Sequence, residues 1–116
     1  MDAVKTRATQ RSLAYLRKDG WQVAIVERWL KHPNMPFGKR IDVWQFGDLL
    51  ACHPLNGIAL VQCTAQSERQ RHLDKMLAIP ELAYWKEAGG KVFLHCWRKL
   101  KPRGKREKWE VREEIL

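Results

Sequence analysis

The chain has 116 residues, enough for one domain that buries a core without disulfides or a structural metal and too few for a second catalytic domain. It carries 22 Lys and Arg against 13 Asp and Glu, a formal net charge of +9, so acidic partners lead, with nucleic acid ahead of an anionic membrane surface. With 45% apolar and 30% charged residues it reads as a folded domain; no apolar run spans a bilayer and no apolar stretch follows the basic N-terminus as in a secretory signal, so a cytoplasmic location is expected.

From Asp2 to Lys18, the residues Val4, Ala8, Leu13 and Leu16 recur at helical spacing among Arg and Lys, which predicts an amphipathic helix stopped at Asp19-Gly20. Residues 21–30, rich in β-branched and aromatic side chains, predict one strand with Trp21, Val23, Ile25, Glu27 and Trp29 on one face. Two prolines and a glycine make 31–38 a loop. A second extended stretch covers 40–53 with Gly47 as a bend, and Ile58 to Thr64 predicts a short buried strand. From Ser67, a plausible cap, to Ala88 the pattern is helical, with Leu73, Met76 and Leu77 on one stripe and a break or restart at Pro80. After Gly89-Gly90, residues 91–116 predict a hairpin with a basic turn around Pro102 and Gly104. This order predicts an α/β fold: a small mixed sheet flanked by two helices, with a C-terminal β-hairpin, in a single domain over 1–116.

Cys52, Cys63 and Cys96 are odd in number and form no CxxC pair, as suits a reducing compartment. The adjacent pairs Cys52-His53 and His95-Cys96 make poor zinc ligands, since neighbours on a strand point to opposite faces.

Polar groups inside apolar strands carry the chemical signal. Asp48 opens Asp-Leu-Leu-Ala51, and Gln62 and Thr64 end the strand from Ile58 on one shared face. Hard oxygen donors converging from neighbouring strands suit Mg²⁺, and Glu27 and Asp42 are further carboxylates in the same region. The alternative is structural: Asp48 in a turn after Gly47, Gln62 bonded at a sheet edge, and Asp42 ion-paired with Lys39 and Arg40.

Gly47-Asp48-Leu-Leu-Ala51 followed by Ile58-Ala-Leu-Val-Gln62-Cys63-Thr64, in the order helix, three strands, helix, strand, resembles the PD-(D/E)XK nuclease superfamily. The nearest likeness is to its Holliday-junction-resolvase branch and to small phage or prophage proteins with a QxT triplet. The resemblance implies a restriction-endonuclease-like αβββαβ core and a Mg²⁺- or Mn²⁺-dependent nuclease, with a homodimer allowed. It implies Asp48 as metal ligand, Gln62 in the Glu position, the Cys63 carbonyl facing the ion, and Thr64 where a Lys is expected. Gln62 contributes no charge, and the first helix has Thr9, Gln10 and Arg11 where resolvases have an acid, so the metal would be held weakly. Glu27 or Asp42 can supply a second carboxylate, and Lys75 or Arg71, one helical turn apart, a migrated cation. In that scheme Asp48, Gln62, Thr64, Glu27 and Lys75 form the catalytic set, with Lys75 or Lys39 balancing charge on the phosphate.

The run 98–108 holds seven Lys or Arg and one acid. Its Arg98, Lys99, Lys101, Arg103, Lys105 and Arg106 are expected to meet phosphates together with Arg7, Arg11, Lys39, Arg40 and Arg71. Trp21, Trp44, Trp85 and Trp97 are expected in the core, and Trp29 and Trp109 at a nucleic-acid surface. Three functions follow: a metal-dependent DNA endonuclease, an inactive nuclease-fold DNA-binding or regulatory module, and a basic RNA- or protein-binding module.

Overall fold

The computed structural model describes residues 3–31, 33–34 and 36–116, with the side chains from Arg7 onward. Asp2, the side chain of Val4, and His32 in the predicted loop lie outside the described residues. The elements are α1 (Ala3–Lys18), β1 (Gln22–Ile25), β2 (Arg28–Leu30), β3 (Lys39–Ile41), β4 (Leu49–His53), β5 (Gly57–Ala65), a 3-10 turn (Gln66–Glu68), α2 (Arg69–Leu77), α3 (Pro80–Glu87), β6 (Lys91–Leu100) and β7 (Lys108–Ile115). The expected mixed α/β class is what the chain adopts. A five-stranded sheet in the order β1-β4-β5-β6-β7 is antiparallel except for the β5-β6 pair, and β2 and β3 form a separate antiparallel ribbon.

Alternation along the strands sorts the core into two layers. Leu49, Ala51, Ala59, Val61, Cys63, Phe93 and Trp97 face α1, where Ala8 and Leu16 close over them with Trp21. Leu60, Val92, Leu94 and Cys96 face the other way and meet Met76 of α2 and Leu82 of α3. The parallel pair, β5-β6, is the one bridged by α2 and α3, since a parallel connection must cross over the sheet.

Several expectations need correction. The stretch 21–30 is two strands: the carbonyl of Asp48 accepts from both Val26 N (3.0 Å) and Glu27 N (3.3 Å), and the chain leaves the sheet there. Ile25 and Trp29 therefore do not continue a buried face and are 44% and 60% exposed. The stretch 40–53 is also two strands, separated by a turn in which Trp44 and Gln45 have positive φ (51° and 68°) and Gly47 N returns to Val43 O at 2.8 Å. That turn leaves Trp44 44% exposed rather than in the core, edge-on to the half-buried Trp85 at 6.3 Å. Glycine is required at 47, where a Cβ would lie 2.9 Å from Val43 Cβ. The predicted helix from Ser67 is a 3-10 turn and two helices, divided where Pro80 opens α3, so among the described residues three helices rather than two flank the sheet. Ser67 lies in the 3-10 turn and caps neither it nor α2, and Leu77 is 64% exposed.

No helix among the described residues is long and apolar enough to cross a membrane.

Candidate functional site

Asp48 is placed by its backbone before its side chain is considered. Its N–H donates to Val61 O (2.9 Å) on β5, and its carbonyl holds the end of β1. The carboxylate is fully buried and points along the same sheet face as Gln62, also fully buried. Gln62 Nε2 donates to Asp48 Oδ2 at 2.8 Å, and Cys63 N donates to the same oxygen at 2.9 Å. A buried carboxylate is costly unless hydrogen bonds replace its water, and these two amides do so at Oδ2. The Gln62 amide presents its NH₂ to Asp48. The Gln62 carbonyl oxygen is left buried with no hydrogen-bond partner among the described residues. Cys63 sends its N–H toward β4, and in a strand the carbonyl of the same residue leaves on the same edge, so the Cys63 carbonyl is directed to the Asp48 side. Asp48, Gln62 and Cys63 are thus brought together.

Beyond Gln62 the strand opens into a cleft of about 430 Å³, with Thr64 and Ala65 among its lining residues. Thr64 is one strand repeat from Gln62 on the same face, so the cleft begins beside the buried pair. Arg11 from α1, Arg40 from β3, and Arg71 and Lys75 from α2 contribute to its walls, together with Glu68, His72, Trp97 and Trp109. Arg69 fixes α2 in place by a forked pair with Glu114 of β7 (Nε 3.0 Å, Nη2 2.6 Å), while Arg71 pairs with Glu68 at 2.7 Å. The Arg11 guanidinium carbon lies over Trp109, 3.6 Å from the ring centroid, and burial, with the neighbouring charge of Arg7, lowers the pKa of Arg11. The cleft is a concentration of cations because three separate elements each deliver one or two to the end of β5.

The remaining predicted residues are distributed around this centre. Glu27 follows β1 and turns to α1, where Oε1 accepts from the buried Thr9 hydroxyl (3.1 Å); its Oε2 is 3.9 Å from Arg40 Nε. Thr9 on α1 therefore contacts an acid supplied by the strand end. Asp42 is half-buried between β3 and the Val43 turn, Lys39 is exposed on β3, and Arg7 is exposed one helical turn before Arg11. In the hairpin, Arg98 pairs with Glu110 and Lys99 with Glu107, each at 2.7 Å, so these acids answer part of the basic run. Lys101, Arg103, Lys105 and Arg106 occupy the exposed connection between β6 and β7 and do not line the cleft.

Two features escaped the sequence reading. His72 lines the cleft beside Arg71 (Nε2 to Nη2, 3.3 Å); its signal was the helical spacing of Glu68, Arg71, His72 and Lys75 on one face. The other is a buried chain under α1. Trp97 Nε1 donates to Ser12 Oγ (2.8 Å), Ser12 Oγ meets His95 Nδ1 (2.9 Å), and His95 Nε2 meets Glu113 Oε2 (2.7 Å). With neutral His95 every donor finds an acceptor if Ser12 donates to Nδ1 and Nε2–H donates to the carboxylate. Ser12 and His95 have no exposed surface, so this chain fastens α1 to β6 and β7 and presents no nucleophile.

Among the described residues, no three His, Cys, Asp or Glu side chains form a metal-ligating group. The oxygens near Asp48 are one carboxylate, one amide carbonyl and one backbone carbonyl, a hard but sparsely charged set. Comparison with known proteins returns no match to a family model, a curated protein or a solved structure.

Proposed function

We propose that the protein is a DNA-backbone-binding phosphodiesterase of nuclease-like fold, in which the cationic cleft holds the phosphate and Asp48, Gln62 and Cys63 hold a divalent ion beside it. The observation that carries this reading is the junction of two opposite environments at the end of β5. A buried carboxylate with an unused amide oxygen lies one strand repeat from a cleft bearing Arg11, Arg40, Arg71 and Lys75. Phosphate needs the cations and a hard metal needs the oxygens.

The donor set fits Mg²⁺ or Mn²⁺ as a weak, one-carboxylate site completed by water. Gln62 must first rotate its amide, exchanging the NH₂ now on Asp48 for the oxygen. When bound, the ion supplies a water of lowered pKa and positive charge at the scissile phosphate. The chain's own contributions are more direct: Arg71 and Lys75 draw the phosphate to the cleft, Arg40 steadies Glu27, and Thr64 offers a hydroxyl at the floor.

A second reading keeps the fold and drops the chemistry, making the protein a DNA-binding or regulatory module. It is favoured by the hydrogen bond from Gln62 Nε2 to Asp48 Oδ2, which engages that carboxylate oxygen with an amide. Cleavage of labelled DNA in Mg²⁺ and Mn²⁺ by the wild type and by Asp48→Asn separates the two. Asn is the right replacement, because Ala would strand the two buried N–H groups and confound activity with folding.

A further inference from the structure

We infer that Trp29 is a stacking site for an unpaired DNA base at the rim of the cleft, which makes the protein prefer DNA with a single-stranded segment beside a duplex. This rests on the cleft holding a DNA backbone. Trp29 and Arg40 are register partners in the β2-β3 ribbon, so their side chains leave on the same side. Arg40 is part of the cleft wall, and Trp29 therefore stands on the cleft side of the ribbon. Its indole is 60% exposed yet not loose: it lies so close to Gly38 that any side chain there would collide with the ring. A large indole held against backbone and left open to solvent is a rigid platform. Nothing in the hydrophobic core requires it, since the core clusters are complete without it.

Charge identifies the occupant. Arg28, Lys31 and Lys39 are exposed on or beside the ribbon, and Arg40 continues them into the cleft, so the aromatic face is offered in a field that attracts an anionic polymer. A nucleobase is the apolar face that such a polymer presents, and only an unpaired one can leave its stack at small cost. Trp109 is the less suitable platform, because Arg11 covers its ring at 3.6 Å and the Lys99 ammonium lies 5.9 Å from its centroid.

The test is fluorescence-anisotropy binding, at one fixed salt concentration and without divalent ion, to a blunt duplex and to the same duplex carrying a single-stranded tail. The wild type is expected to prefer the tailed DNA. Trp29→Ala should lose roughly tenfold on the tailed DNA and little on the blunt one, the size expected for one stacked base. Trp29→Phe, which keeps an aromatic face, should retain most of the preference. Equal losses on both substrates, no loss on the tailed one, or a Phe variant as weak as the Ala variant would overturn the base site. Wild-type binding to both substrates without preference would remove this site alone, whereas failure to bind either would remove the cleft reading as well.

Discussion

Gln62 Nε2 donates to Asp48 Oδ2 at 2.8 Å, with both side chains fully buried. The group that meets the Asp48 carboxylate there is a neutral amide, so Gln62 adds no negative charge beside it. Gln62→Glu removes the donor and sets two carboxylates together, so one is driven to a raised pKa. The variant should unfold at lower temperature without metal, by about 1–3 kcal/mol, and should be stabilised by Mn²⁺ more than the wild type. Thermal melts with and without Mn²⁺ check both parts; equal metal response in the two proteins would argue against an ion at Asp48.

The cleft cations should be separable from the hairpin cations. Arg71→Ala and Arg40→Ala remove cleft charges and should weaken binding to all DNA sequences, lowering the salt slope by about one unit for each phosphate that is no longer neutralised. Arg98→Ala should cost less than Arg103→Ala, because Arg98 is already paired with Glu110 at 2.7 Å, and the pairing of Arg71 with Glu68 should likewise make Arg71→Ala the milder of the two cleft changes. Binding isotherms over a salt series measure both effects.

Ser12 accepts from Trp97 Nε1 and meets His95 Nδ1 inside the protein. Ser12→Ala leaves two buried polar atoms without that partner and should destabilise the fold by ~2–4 kcal/mol. Urea unfolding measures the loss, and DNA affinity of the folded fraction should change little, because Ser12, His95 and Glu113 do not line the cleft and only Trp97 reaches it.

Burial pushes the Cys96 thiol up to about 11, with Glu114 adding to the effect. Between its ordinary value near 9 and this raised value, the unfolded chain has released a proton that the folded chain keeps. Stability therefore falls as pH rises through that interval, by up to ~3 kcal/mol, and Cys96→Ala should flatten the decline. At neutral pH a thiol reagent should modify the exposed Cys52 and spare the buried Cys96.

Much of the fold was legible because its signals were local. The apolar run 58–64, the Gly89-Gly90 stop and the restart at Pro80 each fix an element without distant partners. What escaped depended on contacts across the chain. The end of β1 is set by Asp48 O capturing two amides from a segment whose residues all favour extended structure. The Val43–Gly47 turn uses positive φ at Trp44 and Gln45, for which neither residue advertises a preference. At the site, the shared face of Gln62 and Thr64 follows from strand parity and could be read in advance. The cleft wall could not, since Arg11, Arg40 and Arg71 are far apart in sequence and meet only through the docking of α1 and α2 on one sheet.

The most direct measurement is gel analysis of end-labelled, tailed DNA incubated with the wild type and with Asp48→Asn in Mg²⁺, Mn²⁺ or chelator. The account predicts fragments from the wild type only with a divalent ion, none from Asp48→Asn, and unchanged DNA affinity in the variant. Cleavage that persists in Asp48→Asn would contradict the assigned site. Salt-sensitive binding with no cleavage in either ion would contradict the hydrolytic reading and leave the binding module in its place.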